Sequence, residues 1–304
     1  MRYLQRLDEL ISTGADGLST RVFEAQTEFL EAQQNADGGF AGRDGSSDIY
    51  YTDFGLRTAS ILHASSRVFA STKQFLRSAD PGSIVEVFNL LNSRRILSDH
   101  GVKLPVNEEE LQAIVRAQRH PNGGYARPDG SGPSAYQTLL GKLCMQMLGD
   151  DTPDDGGAGA MLALQCTSGG FTETPRQGLP HTSATAAAMS VLLMENRRGP
   201  TLDGAAEFLG TMQSDTGGLR AHPEAGQVDL LSTFTGLVAI TMSGHTKMID
   251  LSKVARFLRT VAHPGGGFGA HAGDRGADVE YAYYGLGCLA ICRGAVQRGE
   301  HSRQ

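Results

Sequence analysis

Apolar residues recur at helical spacing along the whole chain, and glycine pairs interrupt them. Leu4, Leu7, Leu10 and Ile11 share one face, and Val22, Phe23, Phe29 and Leu30 another after a break from Gly14 to Gly17. Residues 1–34 therefore read as helix. Helical spacing returns at Thr52 to Leu62, Tyr136 to Leu148, Ala158 to Gln165, Ser183 to Met194, Asp203 to Gln213, Leu231 to Thr241, Leu251 to Val261 and Tyr281 to Ile291. Residues 65–110 carry the same period without a glycine turn, as a degenerate hairpin would, and the polar tail from Arg293 is expected to fray. No segment alternates at period two for long enough to predict a strand.

The breaks are themselves alike. Gly-Gly-aromatic or Gly-Gly-Leu turns open at Gly38, Gly123, Gly169, Gly217 and Gly266, spaced by 85, 46, 48 and 49 residues, and each is followed by a polar loop and a helix rich in Ala, Gly, Ser, Thr and Leu. A fixed period of this length is the signature of a repeat architecture. The expected fold is all-α, about six helical hairpins in one domain spanning 1–304. The small residues allow close packing on the inside of a curved array, so a closed ring is favoured over an open solenoid.

Composition changes this picture little. The 304 residues carry 27 Lys and Arg against 33 Asp and Glu, a formal net charge of −6. That provides no basic stripe for nucleic acid. No apolar run reaches the ~20 residues that span a bilayer, and MRYLQRLDELISTG lacks the continuous apolar core of a signal peptide, so a cytoplasmic location is expected. Cys144, Cys166, Cys288 and Cys292 form no paired knuckle and read as buried reduced thiols.

These turns and their period resemble those of the prenyltransferase and squalene-cyclase repeat proteins, most of all protein prenyltransferase β subunits of the Rab geranylgeranyl type, over about residues 20 to 292. The resemblance implies an α/α toroid. It also implies a central cavity for an isoprenoid diphosphate, transfer of the prenyl group to an acceptor, a catalytic zinc, and a helical-repeat α-type partner subunit or self-association. In that family an Asp-x-Cys-Tyr motif and an Asp-x-x-His-Thr motif supply the zinc ligands. Asp278-Val279-Glu280-Tyr281 is similar to the first, with Glu280 in place of Cys, and Asp48-Ile49-Tyr50-Tyr51-Thr52 to the second, with Tyr51 in place of His. The first-type motif lies in the last hairpin and the second-type motif in the first, an order that keeps them adjacent only if the ring closes. Asp278, Glu280 and Tyr51 are thus the expected catalytic set, with Asp278 and Glu280 as metal ligands. Their oxygens suit magnesium or another hard cation better than zinc, or no metal at all.

Past each turn stands a basic or potentially basic residue: Arg43, Arg127, Arg176, His222 and His271, with Arg275 further along the last loop. The resemblance assigns His271, Arg275 and Tyr281 to the diphosphate, whose departure needs donors and positive charge. Tyr50, Tyr51, Phe54, Tyr281, Tyr283 and Tyr284 are candidates to line a lipid cavity. His181 and Asp229 begin helices and read as packing or capping residues, whereas Asp53 lies inside a helical run. Two alternatives remain. One is a non-catalytic ring that binds a lipid or a protein. The other, less favoured, is a terpenoid cyclase, for whose acid motif the chain offers only Asp151-Thr152-Pro153-Asp154-Asp155.

Overall fold

The computed structural model describes residues 2–127, 132–150, 156–297 and 299. After α1 (Tyr3–Ala15), six hairpins follow among the described residues: α2 (Thr20–Gln33) with α3 (Ile49–Ile61), α4 (Ser66–Leu76) with α5 (Ile84–Asp99), α6 (Glu108–Ala117) with α7 (Ala135–Met147), α8 (Gly157–Leu162) with α9 (Thr182–Met194), α10 (Pro200–Met212) with α11 (Leu230–Ser243), and α12 (Leu251–Val261) with α13 (Val279–Gln297). The second helix of each pair packs against its counterparts on either side, in the order α3, α5, α7, α9, α11, α13 and back to α3. The inner ring is closed, as the rotated motif order requires.

Burial separates the two rings of helices. α12 buries only Leu251, Val254, Phe257, Leu258 and Val261, the stripe of a helix with one wet face. α9 is buried at every residue from Ala184 to Leu193, as befits a helix enclosed on all sides. Each fully buried Leu or Phe contributes about 1.5–3 kcal/mol relative to exposure. The turns join the rings by a repeated contact: the backbone N–H of Phe40, Tyr125, Phe171 and Leu219 donates to the hydroxyl of Thr52, Thr138, Thr185 and Thr233 at 2.9–3.0 Å. The outer ring closes through Gly266. Its φ is +91°, and a Cβ there would stand 2.2 Å from the carbonyl oxygen of Ala25 in α2. Only glycine lets the last turn seat on the first outer helix.

α1 stands outside the repeat and seals one end of the barrel. Tyr3 shares a 2.7 Å hydrogen bond with Ser190 in α9, Arg2 donates to the carbonyl of Gln146 in α7, and Arg6 to that of Met242 in α11. Its Gly14 lies against the carbonyl of Ala290 in α13. All four partners belong to the C-terminal halves of inner helices.

Two expectations need correction. Short ribbons do form: β1 (Phe40–Ala41) pairs with β2 (Ser47–Asp48) and β3 (Leu219–Arg220) with β4 (Val228–Asp229), both antiparallel. Two residues per strand are too few to leave an alternating signal in the sequence. The tail also does not fray at Arg293, because α13 continues to Gln297 and packs on α1, with Ala295 fully buried. Cys144, Cys288 and Cys292 are buried free thiols, whereas Cys166 is half-buried. No described helix is long and apolar enough to cross a membrane. The acidic stretch Asp151 to Asp155 lies outside the described residues.

Candidate functional site

The N-termini of the inner helices form one rim, and acids and hydroxyls cap them. Asp48, Ser134 and Asp229 accept the N–H of Tyr51, Gln137 and Ser232, and Asp278 Oδ1 accepts that of Tyr281 at 2.9 Å. Each cap satisfies a donor that would otherwise be orphaned at a helix start. The capping role expected for Asp229 therefore extends to Asp48 and Asp278.

Closure of the ring brings the first and last hairpins together at a seam. Arg43 Nε donates to Asp278 Oδ2 at 2.9 Å, and Arg43 Nη2 to Asp274 Oδ2 at 2.9 Å. The guanidinium also lies 5.3 Å from the centre of the Tyr281 ring. The bonds to Asp278 and Asp274 raise the pKa of Arg43. The backbone N–H of Ala270, and then Arg43, hold the Asp274 carboxyl well below the usual range. Asp278 is only 1% exposed, and both its oxygens have partners.

Glu280 sits beside this seam but faces the barrel. Its Oε1 accepts the phenol hydroxyls of Tyr50 at 2.6 Å and Tyr284 at 3.0 Å. Burial raises its pKa, the two tyrosine bonds oppose that rise, and Asp278 adds to it. Tyr50 and Tyr51 are likewise raised, first by burial and then by neighbouring carboxylates, so both stay phenols. Below them, Phe54, Tyr283, Tyr284 and Phe234 pack ring to ring at 4.9–5.7 Å. Arg57 is boxed by Phe54, Phe88 and Tyr283 and paired with the buried Asp53, which also accepts from Asn92 at 2.7 Å. Burial pulls the Arg57 guanidinium down, but Asp53 more than offsets this and keeps it charged.

Tyr136, across the ring on α7, reveals the space between these walls. It is 39% exposed, yet burial pushes its phenol up to about 12, with Glu280, Glu173 and Arg57 near enough to influence it. A side chain reached by solvent while protein surrounds it lines a concave site. Such concavities with convergent polar groups are where ligands bind.

The sequence of the chain matches a family model, the prenyltransferase alpha-alpha toroid domain, over residues 20–77, 65–156 and 156–304. The chain belongs to that family. Among solved structures, this toroid is similar to the protein geranylgeranyltransferase-I of Candida albicans complexed with GGPP, at 15% identity and a TM-score of 0.70 over 89% of this chain and 91% of that one. It is also similar to a variant of the type II terpene cyclase MstE from Scytonema in complex with geranylgeranyl dihydroxybenzoate, at 12% identity and a TM-score of 0.61 over 96% and 99%. A protein from Actinoplanes aligns at 14% identity and a TM-score of 0.58 over 90% and 98%. At such identities the likeness shows the fold alone. No curated protein matches the sequence.

The family's zinc does not fit the residues at this toroid's seam. Arg43 and the α13 N-terminus already hold both oxygens of Asp278, so a cation would have to displace a guanidinium. Glu280 is turned to two phenols, and Tyr51 offers a phenol too hard to ionise for a metal that prefers thiolate and imidazole. Among the described residues no group of three His, Cys, Asp or Glu stands close enough to hold a metal ion.

The basic residues of the loops do not converge either. Arg127 faces Glu173 at 3.6 Å. His222 tilts against His181 with ring centres 5.2 Å apart, and its Nδ1 has no hydrogen-bond partner among the described residues. His271 touches the carbonyl of Ala272 and lies near Asp229, whose carboxyl burial raises and His271 lowers. Arg176 and Arg275 are exposed. The structure thus gathers Arg43, Tyr50, Tyr51, Asp278, Glu280 and Tyr281 and leaves Arg127 and His222 with other hairpins.

Tyr136, Arg57, Phe234 and Glu173 were missing from the residues expected at the site. A signal for Tyr136 was present: it stands two residues before Thr138, as Tyr50 does before Thr52, Ser183 before Thr185 and Leu231 before Thr233. Glu280 occupies the same place before Ala282. Aligning the repeats on the threonine that holds each turn picks out the residues at the mouth.

The raised Glu280 carries a pH signature. Because its folded pKa exceeds the unfolded 4.5, the folded chain keeps this proton longer, so stability falls as pH rises from about 4.5 through the raised value. Glu280→Gln is expected to flatten that part of the profile, read as midpoint against pH in urea unfolding. An unchanged slope would place the titration elsewhere.

Proposed function

We propose that this toroid binds an isoprenoid diphosphate with its hydrocarbon among the rings of Tyr50, Phe54, Tyr136, Phe234 and Tyr284, and transfers the prenyl group to an acceptor without zinc. One observation carries the reading: an accessible aromatic concavity, marked by Tyr136, has the Glu280 carboxyl on its wall, where it accepts the Tyr50 hydroxyl. The bond between the allylic carbon and the diphosphate oxygen breaks, and diphosphate leaves with the electron pair. The tyrosine and phenylalanine faces stabilise the allylic cation. The acceptor attacks that carbon and gives its proton to the Glu280 carboxylate, which its raised pKa makes a better base. Arg275 and His271, the loop residues that the family resemblance assigns to the diphosphate, are the proposed cations for it, whereas Arg43 and Arg127 are engaged by acids.

The same pairing favours a second reading, a ring that binds isoprenoid hydrocarbon and does no chemistry. Calorimetric titration with isoprenyl diphosphates and the matching alcohols, with and without zinc or magnesium, separates the two. Binding that requires diphosphate, is indifferent to metal and is lost by more than about tenfold in Arg275→Ala supports transfer. Equal binding of the alcohols supports the carrier, and binding of neither overturns both. The family resemblance also implies a helical-repeat partner or self-association, and light scattering of the purified chain tests the second.

A further inference from the structure

Five of the six outer helices bear the glycine turn of the hairpin before them. A Cβ added at Gly38, Gly123, Gly169, Gly217 or Gly266 would stand 1.9–2.4 Å from the carbonyl oxygen of Ser71, Gly156, Gly204, Lys253 or Ala25, in that order. Those carbonyls belong to α4, the start of α8, α10, α12 and α2. Among the described residues α6 bears no such turn. The hairpin before it has no glycine pair, and only seven residues, Arg77 to Ser83, join α4 to α5, where the other hairpins use 15–19.

The repeat register shows where the turn would have rested. Gln34, Gln165, Gln213 and Ala262 each bridge to the apolar residue of their own turn, as Arg119 does to Tyr125. Nine residues before the first four stand Ala25, Gly156, Gly204 and Lys253, which meet the first glycine of the neighbouring turn. Five residues before them stand Phe29, Ala160, Phe208 and Phe257, which meet the second. The same steps back from Arg119 reach Glu110 and Ile114.

A cavity of about 190 Å³ lies at that place, and Glu110 and Ile114 both line it. The buried Leu76 and Leu111 also line it, as do the exposed Arg77 and Asp80 of the short link. An apolar cavity of about 150 Å³ already holds a benzene ring, so this one has room for an occupant. The equivalent place on the other five outer helices shows what fits: a backbone turn with glycine at the point of contact. Arg77, Asp80 and Glu110 offer the peptide groups of such a turn the donors and acceptors that they need when taken from water, and that a hydrocarbon would leave unused. A second copy of this chain has its five turns already seated.

We propose that the outer face between α4 and α6 is a docking site for a glycine-bearing turn of a partner protein, seated on Glu110 and Ile114 as the chain's own turns are seated on the other outer helices. The docking site does not depend on isoprenoid binding.

The probe is the chain's own first turn, made as a cyclic peptide of residues 34–40. Gln34 and Phe40 pair across that turn in the fold, so closing the ring holds it in its bound shape. Methyl spectra of the purified chain should show a saturable shift at Ile114 and Leu111. The same peptide with Gly38→Ala should bind about tenfold more weakly or worse, because φ at Gly38 is +90° and the added Cβ would strike the helix backbone. Equal binding of the two peptides, or no saturable shift up to about 5 mM, would overturn the docking site. Shifts with indole and none with the peptide would overturn it too, and make the cavity one for a small apolar molecule. The comparison lies in the peptide, so no variant of the chain has to fold.

Discussion

One methyl group at Gly266 is expected to lower the unfolding temperature by roughly 10 °C, whereas the same methyl at the adjacent Gly265 should change it by a degree at most. Gly266 has φ +91°, and an added Cβ would stand 2.2 Å from the Ala25 carbonyl oxygen and 2.7 Å from Phe29 Cβ. The oxygen is backbone, held in α2, and cannot rotate away. Either the turn lifts off α2 or α2 shifts, and both part the contact that closes the outer ring. The left-handed backbone adds about 1–2 kcal/mol for alanine, and the clash brings the total to about 4 kcal/mol or more. Gly265 has open space around the same position and no positive φ. Thermal melts of Gly266→Ala and Gly265→Ala followed by circular dichroism make the comparison, and equal melting temperatures would show that the ring does not depend on this contact.

Arg57→Leu is the second large effect, and its size depends on pH. Asp53 is fully buried, with Asn92 and Arg57 as its partners. Removing the guanidinium leaves a carboxylate without its counter-charge, a loss of about 3–5 kcal/mol at neutral pH. The three aromatic contacts of Arg57 go with it. Burial already raises Asp53 above its usual 3.8, with Arg57 and Asn92 opposing. In the variant the carboxyl stays protonated to higher pH still. The deficit should therefore grow as pH rises above about 3.8 and shrink as pH falls towards it. Arg57→Leu with Asp53→Leu should recover most of the loss, since an apolar pair of similar volume replaces a buried ion pair at little cost. Urea unfolding of both variants across pH checks this. A pH-independent deficit would mean that lost packing, rather than the orphaned charge, is responsible.

Much of this could be read from the amino acids. Glycine turns at a steady spacing and helical apolar stripes suffice for six hairpins. The rotated motifs required Asp278 and Glu280 to meet Tyr50 and Tyr51, and Tyr50 does donate to Glu280. The threonine 13–15 residues past each of the first four glycine pairs was equally legible in principle. It went unread because its meaning is a single hydrogen bond to the turn, invisible until the turn folds back on its helix.

What the sequence by itself determined is the repeat, the helices and the closure of the ring, because these depend on local periodicity and on glycine's backbone freedom at the turns. Only the tertiary structure decided which of two neighbouring carboxyls is sealed and which is open. Asp278 and Glu280 differ by two positions, yet one is locked to Arg43, 235 residues away, and the other faces the concavity. Tertiary packing also decided that α1 seals the far end. Helical periodicity marks a face as buried but cannot say against what. An inner helix of a toroid is apolar all round, so the side that meets its neighbours and the side that walls a binding site carry the same pattern.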